Sequence, residues 1–231
     1  MIFVYNMIIS ILRSLKRSLI YLFTKLKICL IQDYRISLTE KYIINKVDIE
    51  EGYTKQISKQ VITLINIINN TNVHNVLEIG FNAGHSAELF LQNTESAIIS
   101  FDIGEHEYCE LGKSYIDGMY PGRHTLIIGD SKFTLPDFIL SNPDKKFDII
   151  FIDGCHDYNT AKADLFNCKK LAHTNTVVIM DDTIYSDALR AKYNIGPTQV
   201  WLEAINNNII EEISKVEFCK GRGMSWGKYV Y

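Results

Sequence analysis

Short apolar segments alternate with longer amphipathic ones from residue 55 to about residue 208, and this alternation limits the folds open to the chain. Each apolar segment is short enough, and apolar enough, to be a strand covered on both faces of a sheet. Strands and helices that alternate in this way predict a parallel sheet with right-handed crossovers. The candidate strands are 75–79, 97–102, 124–128, 147–152 and 176–180, and the candidate helices are 55–69, 84–93, 106–118, 131–141, 157–171 and about 197–208.

Two further runs, 211–219 and 224–231, are joined by the glycine-containing segment KGRG and predict an antiparallel hairpin. We therefore expect an α/β fold: a doubly wound, Rossmann-like sheet of seven strands, mostly parallel, with the hairpin closing one edge. A chain of 231 residues fits one such domain with an extension. We assign the domain to residues 51–231, and an N-terminal helical extension with a polar linker to residues 1–50.

The first 32 residues carry a charge opposite to that of the rest of the chain. They contain five basic residues and no acid, so the remainder has a net charge of −8 within a whole-chain charge of −3. An acidic body is a poor match for the phosphate backbone, so we expect no nucleic-acid partner. The basic residues are Arg13, Lys16, Arg17, Lys25 and Lys27.

Residues 11–30 predict an amphipathic helix, for which two interpretations stay open. The helix packs on its own domain or on a second subunit in a homodimer, or it lies on an anionic membrane as a peripheral contact made by residues 1–32. The apolar runs are too short to span a bilayer, and their basic residues follow them, unlike those of a secretory signal. Five scattered cysteines without a CxxC pair indicate reduced thiols, so we expect a cytoplasmic protein, which the second interpretation makes membrane-peripheral.

The first predicted strand ends in a turn with two glycines, within VLEIGFNAGHS at residues 76–86. Glycine at Gly80 and Gly84 lets backbone N–H groups approach a ligand at the start of the next helix. The spacing lacks the G-x-G-x-x-G dinucleotide fingerprint, which disfavours a pyrophosphate ligand. Asp102 ends the second strand, where an acid can accept hydrogen bonds from a ribose diol. A nucleoside ligand without pyrophosphate fits both features, although a tight turn and a helix cap would leave the same residues.

Residues 76–86 resemble motif I of the class I S-adenosylmethionine-dependent methyltransferases. The form E-(I/L)-G-x-x-x-G-x-S is similar to that of the metal-dependent O-methyltransferases that act on catechols and caffeoyl-CoA. The resemblance covers about residues 50–231 and implies S-adenosyl-L-methionine as cofactor. It implies that Glu78, Gly80 and Ser86 lie near its methionine end, Asp102 on its ribose, and Asp130 and Ser131 beside its base. The cofactor-binding residues that we predict are Glu78, Gly80, Phe81, Asn82, Gly84, Ser86, Asp102, Asp130, Ser131 and Asp153.

Three acids follow the fourth and fifth predicted strands. Asp153 ends the fourth strand, and Asp181 and Asp182 end the fifth. Neighbouring strands would bring these carboxylates together, and such acids repel one another unless a cation lies among them. Oxygen ligands suit Mg²⁺ or Mn²⁺. The resemblance implies the same metal site, with Asp182 where the catechol enzymes often have an amide, although the pair could also only cap a turn.

His156 follows Asp153 within the pattern I-D-G-x-H-x-Y. That pattern resembles the branch with macrolide-sugar O-methyltransferases, in which a histidine is the general base. Together with Asp153 it gives the predicted catalytic residues, although His156 could instead cap the helix that follows. The expected function is methyl transfer to a hydroxyl of a small acceptor, with a sugar slightly ahead of a catechol. The alternatives are a non-catalytic scaffold that recruits a partner and a nicotinamide-dependent oxidoreductase.

Overall fold

The computed structural model describes residues 15, 16, 18–22, 37–219 and 221–231. The chain divides into two compact units, residues 1–51 and residues 52–231. In the first unit, residues 15, 16 and 18–22 are helical, and the rest of the predicted 11–30 helix lies outside the described residues. No helix in the described ranges is long and apolar enough to cross a membrane.

The polar segment near 33–54, where the sequence places the linker, contains a helix at residues 38–45 that was not predicted. Helix α1 spans Leu38–Asn45. Its N-terminus has a capping box, in which the Ser37 hydroxyl accepts from the Glu40 backbone N–H and the Glu40 carboxylate accepts from the Ser37 N–H. The Ser-x-x-Glu spacing was therefore the sequence signal for this helix.

The second unit contains the predicted α/β sheet, which the structure confirms. Seven strands lie in the order β3-β2-β1-β4-β5-β7-β6. The pairs from β3 to β5 are parallel, and β7 pairs antiparallel with both β5 and β6. The strands are β1 Asn75–Ile79, β2 Ala97–Asp102, β3 His124–Ile128, β4 Phe147–Ile152, β5 Ala172–Asp181, β6 Ile210–Glu217 and β7 Gly223–Tyr229.

Helices cover both faces of this sheet, because successive strand residues point to opposite sides. In β4, Phe151 packs in the hydrophobic cluster with Leu64 and Phe90, whereas its neighbour Ile150 packs in the cluster with Leu165 and Trp201. The chain order thus builds a helical layer on each side of the strands. The helices are α2 Ser58–Asn69, α3 His85–Asn93, α4 Tyr108–Met119, α5 Ser131–Ser141, α6 Tyr158–Lys169 and α7 Lys192–Asn206, with short 3₁₀ turns at Thr54–Gln56 and Asp187–Leu189.

The largest departure from the predicted boundaries is helix α7, which begins at Lys192 and not near 197. Gly196 and Pro197 look like a break in the sequence, but both lie inside the helix. A Cβ on Gly196 would lie 2.2 Å from the carbonyl oxygen of His156, so this glycine lets α7 approach the loop after β4. The packing of α7 on that loop therefore explains the residue that looked like a helix breaker.

Candidate functional site

The strand order brings the predicted site residues to one edge of the sheet. β2, β1, β4 and β5 are consecutive neighbours and parallel, so the loops that follow their carboxyl ends lie side by side. These loops carry the glycine turn, Asp102, Asp153 with His156, and the Asp181–Asp182 pair. In open α/β sheets, ligands bind in the crevice outside these strand ends.

The turn after β1 is packed directly against the turn after β4. Gly80 has a φ of +95°, and a Cβ on it would lie 2.0 Å from the carbonyl oxygen of Asp153. The backbone N–H of Asp153 donates to the carbonyl of Ile79 at 2.8 Å. Only glycine fits this position, because a side chain would meet backbone that cannot move aside. Gly84, with a φ of +79°, is the N-terminal cap of α3 and completes the turn.

Asp102 is held in place by backbone donors from two loops. One carboxylate oxygen accepts from the N–H of Asn82 at 2.7 Å, and the other accepts from the N–H of Gly104 at 2.8 Å. The Asn82 side chain in turn donates to the carbonyl of Gly52 at 3.1 Å. Each carboxylate oxygen has a second lone pair, so Asp102 can still accept hydrogen bonds from a diol.

Glu78 is fully buried beneath the glycine turn. The hydroxyl of Ser100 donates to its Oε2 at 2.6 Å, and the same hydroxyl lies 2.9 Å from Nε2 of His124. Burial raises the pKa of Glu78 from 4.5 to about 7, and hydrogen bonds from Ser100 and Ser86 oppose that rise. A positively charged ligand group beside this carboxyl would lower its pKa and favour the ionised form.

Three other predicted cofactor residues have structural contacts of their own. The side chain of Phe81 is buried and stacks on His124, so any contact with a cofactor would come from its backbone. Asp130 caps α5 by accepting from the N–H of Lys132 at 2.9 Å. Ser131 is the first residue of α5 and lies near the buried Asp164, whose pKa burial raises to about 6.

Asp153, His156 and Asp182 form a compact group at the ends of β4 and β5. One ligand atom from each lies within 4.8 Å of the others. Nε2 of His156 lies 3.2 Å from Oδ2 of Asp182. Burial, followed by the charges of Asp181 and Asp182, raises the pKa of Asp153 above its ordinary value. We call Asp153, Asp181 and Asp182 with His156 the acid cluster.

Asp181 belongs to the acid cluster but not to the group of closest ligand atoms. Its side chain is buried, and its Oδ2 accepts from Nε2 of Gln60 at 2.7 Å. Burial and the charge of Asp182 raise the pKa of Asp181 to about 7, whereas Arg222 and Gln60 lower it. The role of Asp181 as a metal ligand stays a prediction, and His156 takes its place in the compact group.

Arg222 is the cationic side chain at this cluster. Its Nη2 lies 3.3 Å from Oδ2 of Asp181, and its Nε lies 3.0 Å from Oδ1 of Asp182. Burial opposes the charge, but the carboxylates of Asp181, Asp182 and Asp153 raise the pKa of Arg222 above its ordinary value. The sequence assigned no metal or catalytic role to Arg222, and it gave no signal for Gln60.

The acid cluster has the chemistry of a site for a hard divalent cation. Its donors are mainly carboxylate oxygens, which suit Mg²⁺ or Mn²⁺. Oδ1 of Asp181 is buried without a hydrogen-bond partner among the described residues, so one oxygen is available to a further ligand. The residues present therefore fit such a metal, although Arg222 occupies part of the same carboxylate surface.

The remaining histidines and the cysteines have structural surroundings. His85 is buried and stacks on Tyr53 at 4.2 Å between ring centroids, and His173 lies 3.1 Å from Asp148 at the opposite edge of the sheet. Trp201 is buried and donates to Glu212 at 2.8 Å, as expected for a packing residue. The described cysteines, Cys109, Cys155, Cys168 and Cys219, form no disulfide.

Comparison with known proteins identifies a family whose sequence model matches the region that contains these site residues. A family model described as a methyltransferase domain matches residues 77–183, which include the glycine turn, Asp102 and the acid cluster. Residues 77–183 are a methyltransferase domain. The chain therefore contains a region that matches a methyltransferase domain, on a Rossmann-like fold. No match was found among curated proteins.

Solved structures share the fold of this methyltransferase domain. A protein from Staphylococcus aureus assigned as a caffeoyl-CoA O-methyltransferase is 18% identical, with a TM-score of 0.64 over 90% of this chain and 99% of that one. TomG from Streptomyces achromogenes, solved with S-adenosylmethionine, is 16% identical, with a TM-score of 0.66 over 93% and 96%. CalS11, a TDP-rhamnose 3′-O-methyltransferase, is 16% identical, with a TM-score of 0.56 over 74% and 79%.

Proposed function

We propose that this protein moves a methyl group from S-adenosylmethionine to a hydroxyl of a small acceptor, assisted by a divalent metal at the acid cluster. The observation that supports this best is the compact group of Asp153, His156 and Asp182, because an imidazole and two carboxylates lie together at the strand ends beside the glycine turn. The donor would bind at that turn, and the acceptor hydroxyl would point toward the acid cluster.

The reaction is an in-line displacement at carbon. An oxygen–carbon bond forms as the carbon–sulfur bond breaks, and the electron pair of that bond leaves with the sulfur of S-adenosylhomocysteine. The hydroxyl must also lose its proton. The proposed acceptor of this proton is the imidazole of His156, through Nδ1, the ring nitrogen that does not face Asp182. Its Nε2, 3.2 Å from Oδ2 of Asp182, would donate to that carboxylate, which would orient the ring and stabilise its charged form. Much of the rate would come from holding sulfonium and oxygen in line.

A metal held by Asp153, Asp182 and Asp181 would supply positive charge that lowers the pKa of the acceptor hydroxyl. The chain's own residues account for the other requirements. Asp102 would hold the ribose with its two remaining lone pairs, and Glu78 would meet the positively charged methionine end. Glu78 keeps a raised pKa in a buried site, and a nearby cation would favour its ionised form.

For the acceptor, we favour a sugar or glycoside over a catechol. The support is the I-D-G-x-H-x-Y pattern around His156, together with the fold shared with a sugar O-methyltransferase, CalS11. The same fold is shared with an assigned caffeoyl-CoA enzyme, so a catechol stays the second class to be tested.

Transfer from methyl-¹³C-labelled S-adenosylmethionine tests the proposal directly. The protein is incubated with Mg²⁺ and either a nucleotide-sugar panel or a catechol panel, and the product is read by carbon NMR. We expect a new signal in the O-methyl region with the sugar panel. A label that appears only on nitrogen or carbon would contradict O-methylation. Donor binding without any transfer across both panels would favour the scaffold alternative.

A further inference from the structure

Arg222 lies in the turn between β6 and β7, and its side chain is only 11% exposed against the acid cluster. Its Nη2 contacts Oδ2 of Asp181, and its Nε contacts Oδ1 of Asp182. Burial of a guanidinium costs desolvation free energy, which is offset only when carboxylates pair closely with it. The arrangement places one positive charge of the chain itself against the acids.

Asp182 connects this ion pair to the proposed catalytic group. One of its oxygens faces Arg222 at 3.0 Å, and the other faces His156 at 3.2 Å. The ligand atoms of Asp153, His156 and Asp182 are already within 4.8 Å of one another. A divalent cation among them would share Asp182 with the guanidinium, and two positive groups at one carboxylate repel each other.

A second observation indicates that the cluster can take a further ligand. Oδ1 of Asp181 is buried and has no hydrogen-bond partner within the described part of the chain. Gln60 and Arg222 both bind the other oxygen of this carboxylate. Oδ1 of Asp182 likewise has no hydrogen-bond partner among the described residues, although it lies 3.0 Å from Nε of Arg222, so two acidic oxygens lack hydrogen bonds even with Arg222 in place, which is costly in a buried site.

The position of Arg222 depends on a glycine beside the donor turn. A Cβ on Gly52 would lie 2.3 Å from Nη1 of Arg222, so the guanidinium packs against bare backbone there. The carbonyl of Gly52 accepts from the side chain of Asn82, which belongs to the glycine turn. Gly52 therefore contacts both the glycine turn and the guanidinium of Arg222.

We propose that Arg222 is a built-in cation of the acid cluster, and that a divalent metal binds there only when the guanidinium leaves Asp182. Arg222 and the metal then hold the cluster alternately. The inference rests on the metal site of the proposed function and adds the residue that competes for it. It implies that the wild-type protein binds metal weakly, since the guanidinium must first be displaced.

Titration with Mn²⁺, followed by the loss of its free electron paramagnetic resonance signal, measures this competition without any turnover. We expect Arg222→Gln to bind Mn²⁺ at least tenfold more tightly than the wild type. Arg190→Gln is the control, because Arg190 makes an exposed ion pair with Asp187. Equal or weaker Mn²⁺ binding by Arg222→Gln would overturn the proposal.

Gly52→Ala tests the same idea with the charge retained, in case Arg222→Gln leaves two buried acids and fails to fold. The added methyl group would push the flexible end of Arg222 from its place, so Mn²⁺ affinity should rise several-fold. Gly118→Ala is its control, because a Cβ there meets nothing within 4 Å. The same affinity in Gly52→Ala and the wild type would count against displacement of Arg222.

Calorimetry with S-adenosylhomocysteine on the same samples separates this inference from the proposed function. If every folded variant binds S-adenosylhomocysteine and none binds Mn²⁺, the exchange with Arg222 is wrong and so is the metal, while the methyl-donor site stands. If none binds S-adenosylhomocysteine but Arg222→Gln binds Mn²⁺ more tightly, the exchange stands and the donor assignment fails.

Discussion

Nε2 of His156 lies 3.2 Å from Oδ2 of Asp182, and a second pair of the same kind lies at the other edge of the sheet. There, Nε2 of His173 lies 3.1 Å from Oδ1 of Asp148. Both pairs join β4 to β5, but only the first lies at the carboxyl ends of these strands, where ligands bind. The two pairs have similar distances, so it is their position in the sheet that distinguishes the candidate base, His156, from the structural histidine, His173.

Replacement of the two histidines tests this distinction. We expect His156→Ala to lower kcat by on the order of 10²–10⁴, because the acceptor hydroxyl loses its proton acceptor. The affinity for S-adenosylhomocysteine should stay unchanged. His173→Ala removes a matched pair far from the strand ends and should keep wild-type kcat. Steady-state kinetics and calorimetry check both variants, and equal losses in kcat would contradict the role of His156.

Two glycine substitutions test the close approach of the donor turn to Asp153. Gly80→Ala adds a Cβ at 2.0 Å from the carbonyl of Asp153 in a left-handed backbone, whereas Gly122→Ala has a similar φ of +75° and nothing within 4 Å. We expect Gly122→Ala to cost about 1–2 kcal/mol, and Gly80→Ala to cost at least ~3 kcal/mol and to abolish donor binding.

Urea unfolding and calorimetry with S-adenosylhomocysteine measure the two effects of Gly80→Ala. Similar unfolding free energies for the two alanine variants would show that the contact between the two turns is not tight. Retained donor affinity in Gly80→Ala would remove this glycine from the cofactor site.

Glu78 should make the stability of the ligand-free protein depend on pH. Its folded pKa of about 7 lies above the ordinary 4.5, so its contribution is fully present below pH 4.5 and is lost as the pH rises through 7. Relative to the wild type, Glu78→Gln should therefore gain about 3 kcal/mol between these limits. Urea unfolding across this range checks the slope, with the exposed Glu110→Gln as control. A constant difference between Glu78→Gln and wild type would contradict the raised pKa.

The strands of the sheet were predictable, because burial on both faces leaves short apolar runs that stand out in the sequence. β1 to β4 have the predicted bounds, whereas β5 begins earlier, at Ala172, in a polar stretch. The polar residues 173–175 near the start of β5 carry no apolar signal, so the periodicity of the sequence could not locate this part of the strand. The start of α7 was predicted too late for a different reason. Gly196 and Pro197 indicate a helix break in the sequence, but close packing on the His156 loop requires a glycine inside the helix.

The candidate site was predictable only where residues follow a strand end. Asp153, Asp181 and Asp182 could be placed in this way, since parallel neighbours share an edge. Arg222 and Gln60 reach the acid cluster from the C-terminal hairpin and from α2, which are distant in sequence. No local sequence pattern predicts these contacts, because they depend on how the helix and the hairpin pack on the sheet.

For the N-terminal segment, we propose a peripheral membrane contact. Leu15, Leu19 and Leu22 are 55%, 55% and 57% exposed, and at helical spacing they form one apolar stripe beside basic residues. We expect the full chain to co-sediment with vesicles that contain anionic lipid, and a chain lacking residues 1–32 to stay in the supernatant. Vesicles of neutral lipid are the control. If both chains stay in the supernatant with anionic vesicles, the membrane contact is wrong, and packing of the helix on its own domain or on a second subunit is the alternative.

We propose that the glycine turn and Asp102 hold S-adenosylmethionine and that the acid cluster holds a divalent metal. Calorimetry with S-adenosylhomocysteine, in the presence and absence of Mg²⁺, measures both sites in one experiment. We predict saturable binding of one S-adenosylhomocysteine per chain, with a separate heat for Mg²⁺ that Asp182→Ala removes while donor affinity is kept. The absence of S-adenosylhomocysteine binding under both conditions would contradict the account.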